Sequence, residues 1–82
     1  MEKLEQGDII TLDDNKEYIA FAVATAPDSR SFVYLMTTAQ PVEICFAEQT
    51  STADGKIDLR IVGDQNEKIA VLNLFRAVYA KN

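Results

Sequence analysis

The side chains of this chain that could carry out catalysis are one cysteine and thirteen carboxylates, and there is no histidine among them. Histidine is the usual general base at neutral pH and the commonest metal ligand. Without it, neither a Ser–His nor a Cys–His nucleophile pair can form within the chain. One cysteine also cannot supply the ligands of a structural zinc site. The sequence therefore predicts no catalytic, cofactor-binding or metal-binding residue, and a protein that is not an enzyme.

Cys45 is the remaining candidate nucleophile. It lies between Ile44 and Phe46, and no basic residue is next to it in the sequence. A thiol becomes reactive where a cation or a helix amino terminus lowers its pKa, whereas unpaired cysteines are among the most buried residues. We interpret Cys45 as a packing residue. The alternative is a small redox protein or enzyme that depends on it.

Two acidic residues and one asparagine at alternate positions resemble the beginning of a calcium-binding loop. Asp13, Asn15 and Glu17 have that spacing, but Tyr18 and Ala24 occupy the positions that require glycine and glutamate. We predict a turn at this point, since Asp and Asn tolerate positive φ angles. A glycosidase needs two carboxyl groups flanking a cleft, and no spacing singles out a pair among Asp8, Asp13, Asp14, Glu17, Glu43 and Asp58.

The net charge of −5 argues against unaided binding to nucleic acid. Residues 1–63 hold 11 acidic and five basic residues, a net charge of −6, and residues 64–82 have a net charge of +1. Nucleic-acid binding requires clustered Lys and Arg. An aromatic platform for bases would therefore lie in an acidic setting if it formed from Tyr18, Phe32, Tyr34 and Tyr79.

The elements that must position these side chains are five strands followed by one helix. Apolar residues alternate with a period of two up to Val62, which is typical of strands, and Asp54-Gly55 is a strong hairpin signal. Short connections favour an antiparallel meander, either open or curled like an SH3 barrel. The predicted strands are 9–12, 17–25, 32–37, 42–48 and 56–62.

The third predicted strand is apolar on both faces, which indicates a central strand or one covered on both sides. In the second strand, strict alternation places Ile19, Phe21 and Val23 on one face and Tyr18, Ala20, Ala22 and Ala24 on the other. An apolar patch on one face of the sheet would be an interface if it were left open, and we favour a covered core. This patch comprises Tyr18, Ala20, Ala22, Val33, Leu35 and Cys45.

The last segment changes to a helical period. Asp64 is placed to cap the first turn, and Glu67 follows at the position from which a side chain can reach back. Val71, Leu72 and Phe75 begin an apolar stripe that continues to Val78 and Tyr79. We expect this stripe to pack across the face of the sheet that carries Ile57, Leu59 and Ile61.

The whole chain is expected to form one α+β domain, with residues 1–6 frayed, residues 8–62 in the sheet and residues 64–80 in the helix. The amino terminus lacks the apolar stretch of a signal peptide, and no apolar run approaches the ~18 residues of a membrane span. A single cysteine fits a reducing compartment. We therefore expect a cytoplasmic protein that is a monomer or a homodimer, because Glu43 and Lys56 discourage open-ended strand pairing.

Three stretches of the chain resemble the YrzB-like family of short acidic proteins from Gram-positive bacteria. They are residues 9–21, the strand residues Tyr34-Leu35-Met36, and residues 66–75. The resemblance implies a bacterial protein with two opening strands around an acidic turn and a closing helix. It implies no activity and no site residues, because the function of that family is unknown.

These observations lead to a non-catalytic module of the bacterial cytoplasm that interacts with an unknown protein partner. The partner would be met through a sheet edge or through the acidic surface. No cofactor, nucleic acid or membrane is expected to bind. Besides the Cys45 redox alternative, an acidic decoy that occupies the groove of a nucleic-acid-binding protein is a further hypothesis.

Overall fold

The computed structural model describes residues 3–79, which form one five-stranded sheet and one helix. Each strand is antiparallel to its neighbour and the sheet order follows the sequence, so the predicted α+β meander is confirmed. The sheet curls into a half-barrel with β3 at its centre. The elements are β1 (Ile9–Thr11), β2 (Glu17–Thr25), β3 (Ser31–Thr37), β4 (Ile44–Ser51), β5 (Ile57–Ile61) and α1 (Gln65–Tyr79).

Three of the four hairpins use the same turn, a type I turn followed by one residue with positive φ. The residues in this position are Asn15, Ser29 and Gly55, with φ angles of 65°, 74° and 82°. In each hairpin the N–H of that residue donates to the carbonyl oxygen three residues earlier, over 2.9 to 3.0 Å. The predictions of turns at Asp13–Lys16 and at Asp54-Gly55 are therefore confirmed.

We expect Ser29→Gly to raise the free energy of unfolding by about 0.5–1 kcal/mol, because the left-handed conformation strains a residue that has a Cβ atom. Urea denaturation measures this change. Asn15→Gly is the matched control and should stabilise less, because asparagine tolerates that conformation. Equal effects of the two replacements, or a loss of stability for Ser29→Gly, would contradict the explanation.

A β-bulge in β2 changes which side chains share a face. Ala20 pairs with Leu35 but Ala22 pairs with Tyr34, so Phe21 is an extra residue in the ladder. The predicted alternation along β2 is therefore wrong beyond Ala20, because one extra residue reverses the faces of all that follow. Val23 packs with the core that contains Ala20, whereas Ala22 and Ala24 lie on the opposite face.

The sheet has a core on each face. The concave core is closed by the curl of the sheet and contains Leu4, Tyr18, Ala20, Val33, Leu35 and Ala47. The convex core lies beneath the helix and contains Ala22, Ala24, Phe32, Val62, Val71 and Phe75. β3 is central in the sheet and covered on both faces, so the prediction of a central strand or one covered on both sides is confirmed. Five residues of the predicted apolar patch are buried and Cys45 is half-buried, so the patch belongs to the covered core. Ala22 is the exception in position, because it lies in the convex core and not in the concave one.

The helix begins as predicted but packs on the other face of the sheet. Asp64 accepts a hydrogen bond from the N–H of Glu67 over 3.0 Å. Ile57 and Leu59 pack into the concave core instead, so the predicted packing of the helix on their face is wrong. The curl of the sheet packs the concave side chains against one another, whereas the aromatic side chains of Tyr34 and Phe46 leave an apolar surface on the convex face.

Five aromatic side chains connect this helix to the sheet. Phe75 lies between Phe46, with ring centroids 5.5 Å apart, and Tyr79 at 6.1 Å. Tyr34 contacts Phe21, Phe46 and Phe75 over 5.1 to 6.1 Å. The Tyr79 hydroxyl donates to the carbonyl oxygen of Val23 over 2.7 Å and accepts from its N–H over 3.1 Å. The end of the helix is therefore hydrogen-bonded to the part of β2 that does not pair with β1.

The predicted fraying of residues 1–6 is wrong for Leu4, whose side chain is 3% exposed. The amide of Gln49 holds this residue. Its oxygen accepts from the N–H of Leu4 over 2.6 Å, and its nitrogen donates to the Leu4 carbonyl and to the Ser31 hydroxyl. Gln49 is 2% exposed, so these three hydrogen bonds lie within the core. Residues 1, 2 and 80–82 lie outside the described part, including the last residue of the predicted helix.

The fourth strand lies further along the chain than predicted. The N–H of Glu43 donates to the Thr37 hydroxyl over 2.8 Å, and the N–H of Thr37 donates to the Glu43 carbonyl. Because these two hydrogen bonds close a loop between Thr37 and Glu43, β4 begins only at Ile44. At the other end β4 continues to Ser51, because Thr50 and Ser51 pair with Asp58 and Ile57. Residues 49–51, which lie between the predicted strands 42–48 and 56–62, are therefore part of β4.

Candidate functional site

The best candidate site is a groove of about 520 Å³ on the concave side, where the half-barrel stays open between β1 and β5. The two strands are the edges of the sheet. Leu4 contributes to the floor of the groove, where the buried amide of Gln49 holds it. The groove is lined by Leu4, Ile10, Thr11, Leu12, Asp13, Asp14, Ile57, Asp58, Leu59 and Ile61.

The backbone of β5 presents hydrogen-bonding groups to this groove. The N–H of Val62 donates to the Phe46 carbonyl, and the N–H of Thr52 donates to the Lys56 carbonyl. In an antiparallel pair, residues alternate between pointing their backbone groups toward the partner strand and away from it. The residues between these two pairs therefore alternate, and the N–H and C=O groups of Ile57, Leu59 and Ile61 point away from β4.

The same argument applies to β1. The N–H of Leu12 donates to the Lys16 carbonyl over 3.1 Å, and the N–H of Ala20 donates to the Asp8 carbonyl over 2.8 Å. Asp8, Ile10 and Leu12 thus use their backbone groups toward β2, and Ile9 and Thr11 point theirs outward. Two rows of backbone donors and acceptors therefore border the groove, one on each side.

The side chains of the groove are apolar at the centre and acidic at the rim. Ile10, Leu12, Ile57 and Leu59 are half-buried against the concave core, and Ile61 is 47% exposed. Among the described residues that line the groove there are three carboxylates and no basic side chain. The groove therefore combines apolar contact area with negative charge.

Asp14 is held in place at this rim. Its carboxylate accepts from the N–H of Lys16 over 3.0 Å and from the Tyr18 hydroxyl over 2.9 Å. The two hydrogen bonds lower the pKa of Asp14. The bond to Asp14, together with burial, raises the pKa of Tyr18 to about 12. Asp14 therefore stays charged at neutral pH, and Tyr18 stays a hydrogen-bond donor.

Cys45 lies in β4, half-buried, and packs against the concave core. Burial raises the pKa of its thiol, and the negative charges of Asp14 and Glu43 raise it further. The reactive form of a cysteine is the thiolate. The surroundings of Cys45 therefore favour the unreactive thiol, which supports the interpretation of this residue as packing.

Of the six candidate carboxylates, Asp13, Asp14 and Asp58 line the groove, and the other three have local partners. Asp8 accepts from the N–H of Glu5, Glu17 accepts from the Thr38 hydroxyl, and Glu43 forms an ion pair with Lys16. In residues 3–79 no three metal-ligating side chains of His, Cys, Asp or Glu come together. The aromatic residues also form no common platform. Tyr18 lies in the concave core and Phe32 in the convex core, and Tyr34 and Tyr79 belong to the helix contact.

A neutral cluster of two arginines and two glutamates, which the sequence reasoning missed, lies on the convex face. Glu48 accepts two hydrogen bonds from Arg30, each over 2.9 Å, and one from Arg60 over 2.7 Å. Arg30 and Arg60 also donate to Glu67, so that side chain does not reach back to the helix start. Glu48 and Arg60 are directly opposite each other on β4 and β5, so the strand register could have predicted this one ion pair of the cluster. We interpret the cluster as an attachment of the helix to the sheet.

The Arg30 and Arg60 hydrogen bonds lower the pKa of Glu48 from its ordinary value of 4.5 to about 2. A lowered pKa in the folded state stabilises the fold above the ordinary value, and this contribution is lost as the pH falls toward the lowered one. Urea denaturation should therefore show decreasing stability between pH 4.5 and 2. In Glu48→Gln this decrease should be smaller. An equal decrease in both proteins would contradict the assignment.

Comparisons of the chain with protein-family models, with curated proteins and with solved structures return no match. Within residues 3–79, no helix combines the length and the apolar character that crossing a membrane requires.

Proposed function

We propose that this protein is a non-catalytic interaction module of the bacterial cytoplasm that binds an extended segment of a partner protein in the groove between β1 and β5. The observation that carries the proposal is the pair of open strand edges on the two sides of one apolar groove. Adding a strand to an open sheet edge gives affinity through main-chain hydrogen bonds and specificity through alternate side chains.

The sequence and the surroundings of its one thiol support a binding function rather than a catalytic one. Histidine is absent from the sequence, and the pKa of the Cys45 thiol is raised rather than lowered. The single cysteine fits a reducing cytoplasm. Membership of the YrzB-like family would add no activity to this proposal. The acidic-decoy alternative would use surface charge alone, without an open strand edge.

Selection of peptides from a random library displayed on phage tests the proposal. The enriched peptides are expected to protect the amides of Ile9, Thr11 and Leu59 from hydrogen exchange when they bind, because those groups would join a new ladder. Enriched peptides that leave these amides unprotected, or a library that yields no binder, would count against the groove as a binding site.

Thr11→Pro should abolish binding of the enriched peptides and leave the fold intact. Thr11 is exposed and its N–H points away from β2, so proline removes a donor at the edge without breaking the ladder. Calorimetric titration measures the binding, and far-ultraviolet circular dichroism checks the fold. Thr11→Val is the matched control, because it keeps the N–H and the branched Cβ atom, and it should bind like the unchanged protein. Binding by Thr11→Pro at full strength would contradict the proposed pairing.

A further inference from the structure

The direction of the strands restricts what can fill the groove. Each strand is antiparallel to the next in a sheet of five, so β1, β3 and β5 all run the same way. The two edges that face each other across the groove are therefore parallel. They cannot close the barrel as an antiparallel pair, but one added strand that runs opposite to both can pair antiparallel with each of them.

We propose that the partner supplies one such strand, which alternates apolar and basic side chains and runs antiparallel to β1 and β5. This inference rests on the proposed function and adds the number of strands, their direction and the chemistry of the side chains. A strand in this position satisfies both rows of outward backbone groups at once, and closure removes both edges of the sheet.

The alternation follows from the two sides of the groove. Successive side chains of a strand point to opposite faces, so every second side chain of the added strand faces the concave core. There it meets Leu4, Ile10 and Leu59, which require an apolar residue. The side chains between them face the solvent beside the acidic rim, where Asp13 and Asp58 favour Lys or Arg.

The acidic rim is part of a wider field of the same sign. Residues 1–63, which include the whole sheet, have a net charge of −6. A negative field of this kind speeds the approach of a cationic segment and slows that of an acidic one. Binding should therefore weaken as the salt concentration rises, because the rim charges are exposed.

The probe is a synthetic peptide of about eight residues that alternates Val and Lys, long enough to cover β5 at ~3.4 Å per residue. One matched peptide alternates Val and Glu, and another contains the same Val and Lys residues in blocks. Binding is measured by amide shifts in titrations of the isotope-labelled protein. The alternating Val/Lys peptide is expected to bind at least about tenfold more tightly than either of the others.

A nitroxide label on the peptide reads its direction. Because the strand runs opposite to both edges, a label at its amino end should broaden the amides of Thr11 and Ile61. A label at its carboxyl end should broaden those of Ile9 and Ile57 instead. The reverse pattern, or broadening at only one of the two edges, would overturn the single bridging strand.

Charge removal tests the acidic rim separately. Asp13→Asn combined with Asp58→Asn should weaken the Val/Lys peptide by about threefold to tenfold at low salt, since each exposed pair contributes modestly. Asp28→Asn is the control and should weaken binding much less, because Asp28 does not line the groove and an asparagine can still accept from the N–H of Arg30. Equal binding of the Val/Glu peptide would overturn the proposed partner chemistry.

The failures of the two proposals are distinguishable. If library peptides protect the edge amides but are not basic and alternating, the interaction module stands and the partner chemistry is wrong. If no peptide protects the edges, the proposed function itself fails. A dimer in sedimentation experiments, with the edge amides protected in the absence of peptide, would make a second copy of this chain the occupant and would overturn the basic partner.

Discussion

Phe75→Ala should lower the free energy of unfolding by about 3–5 kcal/mol, the range for truncating a buried aromatic residue. Phe75 is 6% exposed, and its ring contacts those of Tyr34, Phe46 and Tyr79. Its removal leaves a cavity at the centre of the contact between the helix and the convex face. An isolated helix of this length is marginal in water, so the helix should lose its structure together with that contact.

The loss is measured by urea denaturation, and hydrogen exchange shows where the structure opens. The amides of the helix should exchange faster than those of β3. Leu72→Ala is the matched control on the same helix, because Leu72 is 38% exposed, and it should cost less than about 1 kcal/mol. If the two replacements cost the same, or if Ile57 and Leu59 are the groups exposed by Phe75→Ala, the helix does not pack on the convex face.

Gln49→Leu should cost about 2–3 kcal/mol, although it replaces a polar side chain by an apolar one of similar size. The amide of Gln49 satisfies the N–H and the C=O of Leu4 and the hydroxyl of Ser31. Without it these groups lose their Gln49 partner within the core, and an unsatisfied buried polar group costs about 1–3 kcal/mol.

Urea denaturation of Gln49→Leu measures the loss, and the exchange rate of the Leu4 amide reports its cause. Thr50→Val is the control, because Thr50 is exposed on the same strand and should change stability by less than about 0.5 kcal/mol. If Gln49→Leu is neutral and the Leu4 amide stays protected, Leu4 is held by packing alone. Because Leu4 contributes to the floor of the groove, the variant should also weaken the binding of any peptide that the groove accepts.

Local features of the sequence were sufficient for the order of the elements. Asp64 begins the helix because its carboxylate caps the N–H of Glu67, and Asp54-Gly55 turns the β4–β5 hairpin because glycine takes the positive φ angle. The apolar residues on both faces of β3 predicted its central position. These signals act between residues that are close in the chain, so reading the sequence detects them.

Contacts between distant residues decided the rest. Gln49 and Leu4 are 45 positions apart, and only the curl of the sheet brings them together. The Glu48 cluster joins a turn, two strands and the helix, and only the pairing of Glu48 with Arg60 is visible from the strand register. The prediction that the helix packs on Ile57, Leu59 and Ile61 was wrong. The direction in which the sheet curls decides which face is left for the helix, and that direction depends on all five strands.

The sequence by itself determined the α+β meander, its turns and the start of its helix, because hydrophobic period, turn residues and caps are local. It also determined that no histidine-dependent chemistry is possible within the chain. Only the tertiary structure decided three features. They are the reversal of the side-chain alternation in β2 after Phe21, the packing of the helix on the convex face, and the groove between β1 and β5. The reversal follows from the bulge at Phe21. The packing face of the helix and the groove depend on the curvature of the whole sheet, which arises from the bulge and from packing between strands that are far apart in the chain.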